Sequence, residues 1–417
     1  LIGRAVRDEC SSTPPGDGGD SEAKLPLGQI ILLAALTALL PASIDGLSPA
    51  LPAVAGALGT EPAHVSAAIS AFVISFALAQ LAGGMLADAL GRRPVVLAGV
   101  AIYVAGALLS AFASSFLLLL LARVLQGVGA AAAVLLARTI VRDQLPREAA
   151  ARALALIGIF FSMTPIIAPL AGGVLVALGG WRAPLFAMAL LGIIVGLASL
   201  FRLPETLAPD RRLPLDVAGL LRSLSRLARS HALMAYVLAN AFAYSGVLLF
   251  SAAAPQVMIG TLGLPAVTYA LLFALSTTGF LAGNALSFRL VRPLGVDATL
   301  RTGAPFLLAG PVIMILAAHL WPNAWLAIIL PQVLYTFGWG ILQPQTQAGA
   351  LSTHPESIGQ SSALLGFLQL AIAGGIVAVF SRLTGGTSLA LALGMAFCGV
   401  TALLCAWGLI GRQRAAN

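Results

Sequence analysis

Twelve apolar stretches parted by short polar breaks constrain this chain more than any other feature of its sequence. They fall at roughly 27–57, 64–86, 94–113, 116–138, 152–178, 183–201, 232–257, 266–288, 302–320, 324–348, 358–382 and 388–410. Each has about the 20 apolar residues that a helix needs to cross a bilayer. Soluble domains carry about 25% charged residues. This chain carries 9%, with 59% hydrophobic, more apolar surface than a soluble core could hide. A spanning β-barrel alternates apolar and polar residues in segments of about ten, whereas these runs are continuous and rich in Leu and Ala. The expectation is an all-α integral membrane protein with twelve transmembrane helices.

The longest break, 202–231, is rich in Arg and Pro and divides the helices six and six. The predicted order is a disordered cytoplasmic tail (1–26), a six-helix half (27–201), a cytoplasmic linker (202–231), a second six-helix half (232–410) and a short cytoplasmic tail (411–417). Arg222, Arg226 and Arg229 recur at helical spacing, which predicts an amphipathic helix on the membrane surface. Two such halves are expected to hold a site near the midplane between them. With both termini cytoplasmic, every Lys and Arg except Arg123, Arg182 and Arg382 falls in a cytoplasmic segment. That orientation satisfies the positive-inside rule, and its inverse violates it.

Several function classes drop out. The net charge of +8 comes from short basic clusters between apolar runs, which suits loop anchoring rather than nucleic acid. No Gly-rich loop is followed by Lys and Ser or Thr, so a Walker-type ATP site is not expected. Cys10 lies in the polar tail, and Cys398 and Cys405 are about 10 Å apart along one helix, too far to bridge. Metal spacings of Cys or His are missing. His64, His231, His319 and His354 all lie near loops, so an intramembrane enzyme is not expected, and no cofactor is implied.

A few residues resist the apolar pattern. Asp45 and Arg123 sit inside predicted spans, where a lone charge costs about 2.5–3.5 kcal/mol on insertion scales. Each makes the other cheaper to bury, so a coupled pair is expected. The tight turn Gly84-Met85-Leu86-Ala87-Asp88-Ala89-Leu90-Gly91-Arg92-Arg93 joins the second and third spans. A water-exposed cytoplasmic turn explains its arginines, but not Gly84, Gly91 or Asp88. Residues 283–295 keep a trace of it, with Arg289 and Arg292 but no Asp. The fifth span carries Pro165, Pro169, Gly172 and Gly173, which predict a bend and close helix approach. In the second half, Asn240, Tyr244, Gln256, Tyr335, Trp339 and Gln369 supply amide and aromatic groups at membrane depth. Such groups around an apolar cavity suit amphipathic small molecules.

These residues resemble a known family. The 84–93 turn is similar to the loop between helices 2 and 3 of major facilitator superfamily transporters. Arg123-Val124-Leu125-Gln126-Gly127-Val128-Gly129 resembles the helix 4 motif R-x-x-Q-G-x-G of its drug:proton antiporters, and Leu203-Pro204-Glu205-Thr206 the P-E-T after helix 6. Asp45 with Pro49-Ala50-Leu51-Pro52, and the 338–369 region including His354-Pro355-Glu356, look like the Bcr/CflA drug-resistance subfamily. The helix 5 motif departs from the antiporter pattern, with Ala168-Pro169 where Gly-Pro is usual and Thr164 at an upstream glycine position.

The resemblance implies the major facilitator fold and proton-coupled efflux of drug-like molecules across the bacterial inner membrane, by a monomer driven by the proton gradient. A proton-coupled importer on the same fold is the alternative. Asp45 is expected to carry the proton, with Arg123 tuning it. Gly84, Asp88, Gly91, Arg92 and Arg93 are expected to form a latch that stabilises one conformer of the rocking halves.

Overall fold

The computed structural model describes residues 25–354, 357–383 and 387–409. Apart from Leu25 and Pro26, the tails expected at 1–26 and 411–417 lie outside these residues, as do Pro355 and Glu356.

The described residues form α1 (Leu27–Asp45), α2 (Leu51–Ala57), α3 (Pro62–Val65), α4 (Ala67–Leu90), α5 (Arg92–Ala111), α6 (Phe116–Gln144), α7 (Arg147–Gly179) and α8 (Ala183–Arg202). After the linker helix α9 (Val217–Ala228) come α10 (His231–Pro255), α11 (Ala266–Leu320), α12 (Leu326–Ser352), α13 (Ile358–Leu383) and α14 (Ser388–Leu404). Helix starts are marked by the side chains that favour them. Ser115 accepts from the Leu118 amide, Asp216 from Gly219 and Ser230 from Leu233.

The first apolar run is not one helix. It breaks after Asp45, passes through a 3-10 turn at Ser48–Ala50 and resumes as α2. Pro49 and Pro52 sit at the first turns of the two new segments, where a missing N–H costs nothing.

Among the described residues, eleven helices are long and apolar enough to cross a membrane, and α11 supplies two spans. At 55 residues it would measure about 82 Å if straight, far beyond a hydrocarbon core of about 30 Å. It folds back at Gly295, whose φ is 77°. Gly279 and Gly310 both approach the Val333–Tyr335 level of α12, while Gly283 and Gly303 both approach Ile341. The two arms of α11 therefore run antiparallel. The polar break expected at 289–301 is helical on both sides of that one glycine. Gly91, with φ 105°, makes the matching turn between α4 and α5. The repeat that the sequence barely shows is thus plain in the backbone at these two turns.

The turns at Gly91 and Gly295 lie at the arginine-rich end of the bundle. Those at Gly59, Gly180 and Gly263 lie at the opposite end, toward which Asp45 sits. The amphipathic helix expected in the linker is α9. It buries Ser223, Leu224 and Leu227 and is tied to the second half where Ser223 Oγ donates to Gln360 Oε1.

Candidate functional site

Asp45 ends α1 yet is only 9% exposed, so it is both a helix terminus and a buried acid. Its Oδ1 accepts a hydrogen bond from Ser251 Oγ of α10 at 2.9 Å. That bond crosses from one half of the molecule to the other. Around it, Ser48 Oγ donates to the Ser251 carbonyl at 2.5 Å and meets Tyr269 Oη at 2.9 Å, and Ser66 Oγ donates to the Ala252 carbonyl at 2.8 Å. Asp45 also lies within electrostatic reach of Tyr244 and Tyr269.

Arg123 is fully buried, but it does not pair with Asp45. Among the described residues no ion pair joins the two. Arg123 Nη2 donates to the Ser43 carbonyl at 2.7 Å, Nη1 to Gln126 Oε1 at 2.5 Å and Nε to the Ala68 carbonyl at 3.3 Å. Its guanidinium lies 4.5 Å from the centre of the Phe72 ring. These partners satisfy the cation within the first half, and its link to Asp45 runs through the backbone. Arg123 holds the backbone at Ser43, two residues from Asp45, and Ser43 Oγ is also 2.8 Å from Tyr103 Oη. Gln126 stands in the motif read from sequence; Ser43, Tyr103 and Ser251 had no signal beyond being polar groups in apolar runs.

In α7, Pro165 and Pro169 lie inside the helix and the two glycines face different neighbours. Gly172 abuts the backbone of Gly46, next to Asp45. A side chain on Gly173 would come within 2.8 Å of the Ala266 carbonyl and 3.0 Å of Ala270 in the other half. The pair thus seats α7 on α1 and on α11 together.

The second-half candidates separate. Asn240 Nδ2 donates to Gln369 Oε1 at 2.8 Å. One turn along α10, Tyr244 lies 5.5 Å from the Trp339 ring, which stacks on Phe280 at 4.4 Å. Asn240 Oδ1 and Trp339 Nε1 have no hydrogen-bond partner among the described residues. These five side chains form one wall drawn from α10, α11, α12 and α13. Tyr335 does not join it: its hydroxyl donates to the Ala243 carbonyl at 2.9 Å, and its ring fills the space above Gly246. It is a helix-packing residue, because those two small surfaces accept it. Gln256 is buried in a wider turn beyond α10, with Nε2 unpartnered among the described residues. An apolar groove of about 670 Å³ runs between Pro305, Val312, Leu403 and Trp407. It holds none of these polar groups.

At the arginine-rich end, Asp88 pairs with Arg92 Nη1. Arg92 Nε also donates to Asp143 Oδ2 at 3.1 Å, and Thr206 Oγ1 to the same oxygen at 2.9 Å. Glu205 accepts from the amides of Arg92 (2.9 Å) and Arg93 (3.2 Å), and the Leu213 amide donates to the Asp88 carbonyl at 3.0 Å. Burial alone would raise the Glu205 carboxyl, but the amides of Leu207, Arg92, Arg93 and Thr206 outweigh it and hold it below its ordinary value. The Asp88 and Arg92 side chains of the expected latch therefore meet, and they recruit Asp143 and Glu205, whereas the Arg93 guanidinium donates to the Leu200 carbonyl at 2.7 Å. The network braces α4, α5, α6 and the start of the linker, all on one side of the molecule. Gly91 is required by its positive φ and by the Glu205 carboxylate against it. Gly84, the first glycine of the expected latch, makes no close approach to α5. It faces α6, and a side chain there would find Leu135 at an ordinary 3.9 Å.

The profile of the Major Facilitator Superfamily matches residues 31–379. A bicyclomycin resistance protein homolog of Haemophilus influenzae is 25% identical over 388 residues, 92% of this chain and 96% of that protein. Multidrug resistance protein D of Escherichia coli (strain K12) is 30% identical over 362 residues, 86% of this chain and 89% of that protein. Among solved structures, a D-xylose-proton symporter matches with a TM-score of 0.73 at 14% identity, over 91% of this chain and 96% of that one. At that identity the likeness shows the fold alone.

Proposed function

From the premise that this chain belongs to the major facilitator superfamily, we propose that it exports amphipathic, drug-like molecules across the bacterial inner membrane in exchange for protons. One observation carries the reading. Asp45 is an acid buried within a membrane span, and it is bound to a hydroxyl of the opposite half. A carboxyl so placed can change charge at the surface where the halves meet, which is what coupling their rocking to a proton requires. The names of the bicyclomycin- and multidrug-resistance relatives support efflux as the direction.

In this reading both termini are cytoplasmic, so the arginine-rich end faces the cytosol and the Asp45 end faces outward. A proton from outside neutralises Asp45, and substrate entering from the cytosol promotes its release inward. Arg123 keeps the backbone beneath Asp45 in place. The wall of Tyr244, Trp339 and Phe280 favours substrates with a flat aromatic part. The 88–92 network sets the stiffness of the first half. The protein works as a monomer.

Purified protein in vesicles with an imposed pH gradient tests this. Asp45→Asn should abolish substrate movement against its gradient and the accompanying proton flux, and Asp45→Glu should retain part of both. Normal exchange by the Asn variant overturns the assignment. Substrate and protons moving in the same direction would identify an importer.

A further inference from the structure

Among the described residues, four hydrogen bonds join the halves near Asp45, and three of them pair neutral groups. Ser48 to the Ser251 carbonyl, Ser48 to Tyr269 and Ser66 to the Ala252 carbonyl pair hydroxyls with hydroxyl or backbone groups. The fourth, Ser251 Oγ to Asp45 Oδ1, is the one with a carboxyl partner. Hydrogen bonds to an ionised group are about twice as strong as neutral ones. The closure of this end therefore depends on the charge of Asp45 through a single side chain of the other half. The titratable or charged groups that face Asp45 from the surrounding elements are Tyr244 of α10, Tyr269 of α11 and, through Ser43, Tyr103 of α5 and Arg123 of α6.

Resting on the efflux reading above, the geometry points to Ser251 as a positioning residue that prevents slippage. When Asp45 has released its proton inward and no substrate is bound, its carboxylate grips Ser251 and keeps the outer end shut. The empty carrier then cannot reopen outward, pick up another proton and carry it in without exporting anything. Substrate binding must supply the free energy that parts this bond. Protonated Asp45 holds Ser251 more weakly, so the outer end opens more readily in acid.

Removing the hydroxyl leaves the Ser251 carbonyl, and so all three neutral bonds, in place. The full-length protein in vesicles is given an inward pH gradient with no substrate, and an enclosed pH dye reports proton entry. Ser251→Ala should raise this leak about tenfold, the ratio that corresponds to about 1.4 kcal/mol. Ser251→Thr, which restores the donor, should return it to the wild-type value. Spin labels on Ala57→Cys and Thr261→Cys should show the outer end of the wild type closed at pH 8 and opening at pH 5. With Ser251→Ala added, that pH response should vanish. An unchanged leak and pH response in the Ala variant overturns the proposal, as does an equal leak in both variants, which marks a packing role. Neither result touches the exchange reading, which stands or falls with Asp45→Asn.

Discussion

Arg123 shows how much one side chain can be asked to hold. It donates to two backbone carbonyls and to Gln126, and it lies against Phe72, with no surface exposed. A planar guanidinium reaches three divergent acceptors, whereas an ammonium is a compact point charge on a flexible stem. Arg123→Lys should therefore insert in the membrane but lose about 2–4 kcal/mol of stability as buried acceptors go unmet. Thermal unfolding in detergent checks this. A variant with wild-type stability would show that the carbonyls do not need the fork. Residues of this kind were legible in the sequence because a charge inside an apolar run is conspicuous. Their partners were not. Ser251 reads like any small polar residue in a helix, where a hydroxyl commonly bonds its own backbone, as Ser245 does to Ala241. Nothing local distinguishes the serine that reaches across to Asp45. Asp143, beside Arg142 at the end of α6, carries no such signal. Its role emerges only when Arg92 and Thr206 are brought to it.

At the scale of elements, the two turn glycines and the brace around one of them carry the argument. Gly91 has a φ of 105° and faces the Glu205 carboxylate; Gly84 has space around it. Gly91→Ala should cost about 1–2 kcal/mol from backbone strain alone and slow transport, whereas Gly84→Ala should do neither. Melting and vesicle transport of the pair decide this. Equal effects would mean that the motif's glycines serve only helix packing. Glu205 adds a pH dependence of known sign. Its carboxyl is held below its ordinary value in the folded protein, so its stabilisation is complete above the unfolded pKa, about 4.3. It is lost as pH falls through the lowered folded value. Wild type should melt above Glu205→Gln at pH 7, with the two curves converging in acid. A gap that persists at pH 3 would assign the effect to shape rather than charge. The fold-back at Gly295 explains why the sequence placed a loop there: Arg289, Arg292 and Asp297 look like a polar break, yet helical backbone carries them on both sides of one glycine.

Across the whole molecule, the number of spans and the division between halves were legible because bilayer thickness fixes helix length. The way the halves touch was not, because it depends on surfaces that meet only after folding. Gly173 lies on such a surface, against Ala266 and Ala270. Gly173→Leu should push α7 from α11 and shift the population toward an open Asp45 end by tenfold or more, about 1.4 kcal/mol. Wider separation of spin labels on Ala57→Cys and Thr261→Cys would report it, and an unchanged distance would show that the contact is dispensable to closure.

The linker is pinned twice. Its early part is stitched to the first half by Glu205 and by the Leu213 amide on Asp88, and α9 is fastened to the second half by Ser223 on Gln360. Between those fastenings the free contour is short. Three extended steps from Leu213 to Asp216 and seven helical ones from Asp216 to Ser223 span at most about 20 Å. The segment is thus a leash of fixed length. While both fastenings hold, it limits how far the two fastening points can separate. Lengthening it with a few Gly–Ser residues after Leu215 should relax that limit without touching a single contact in the cavity.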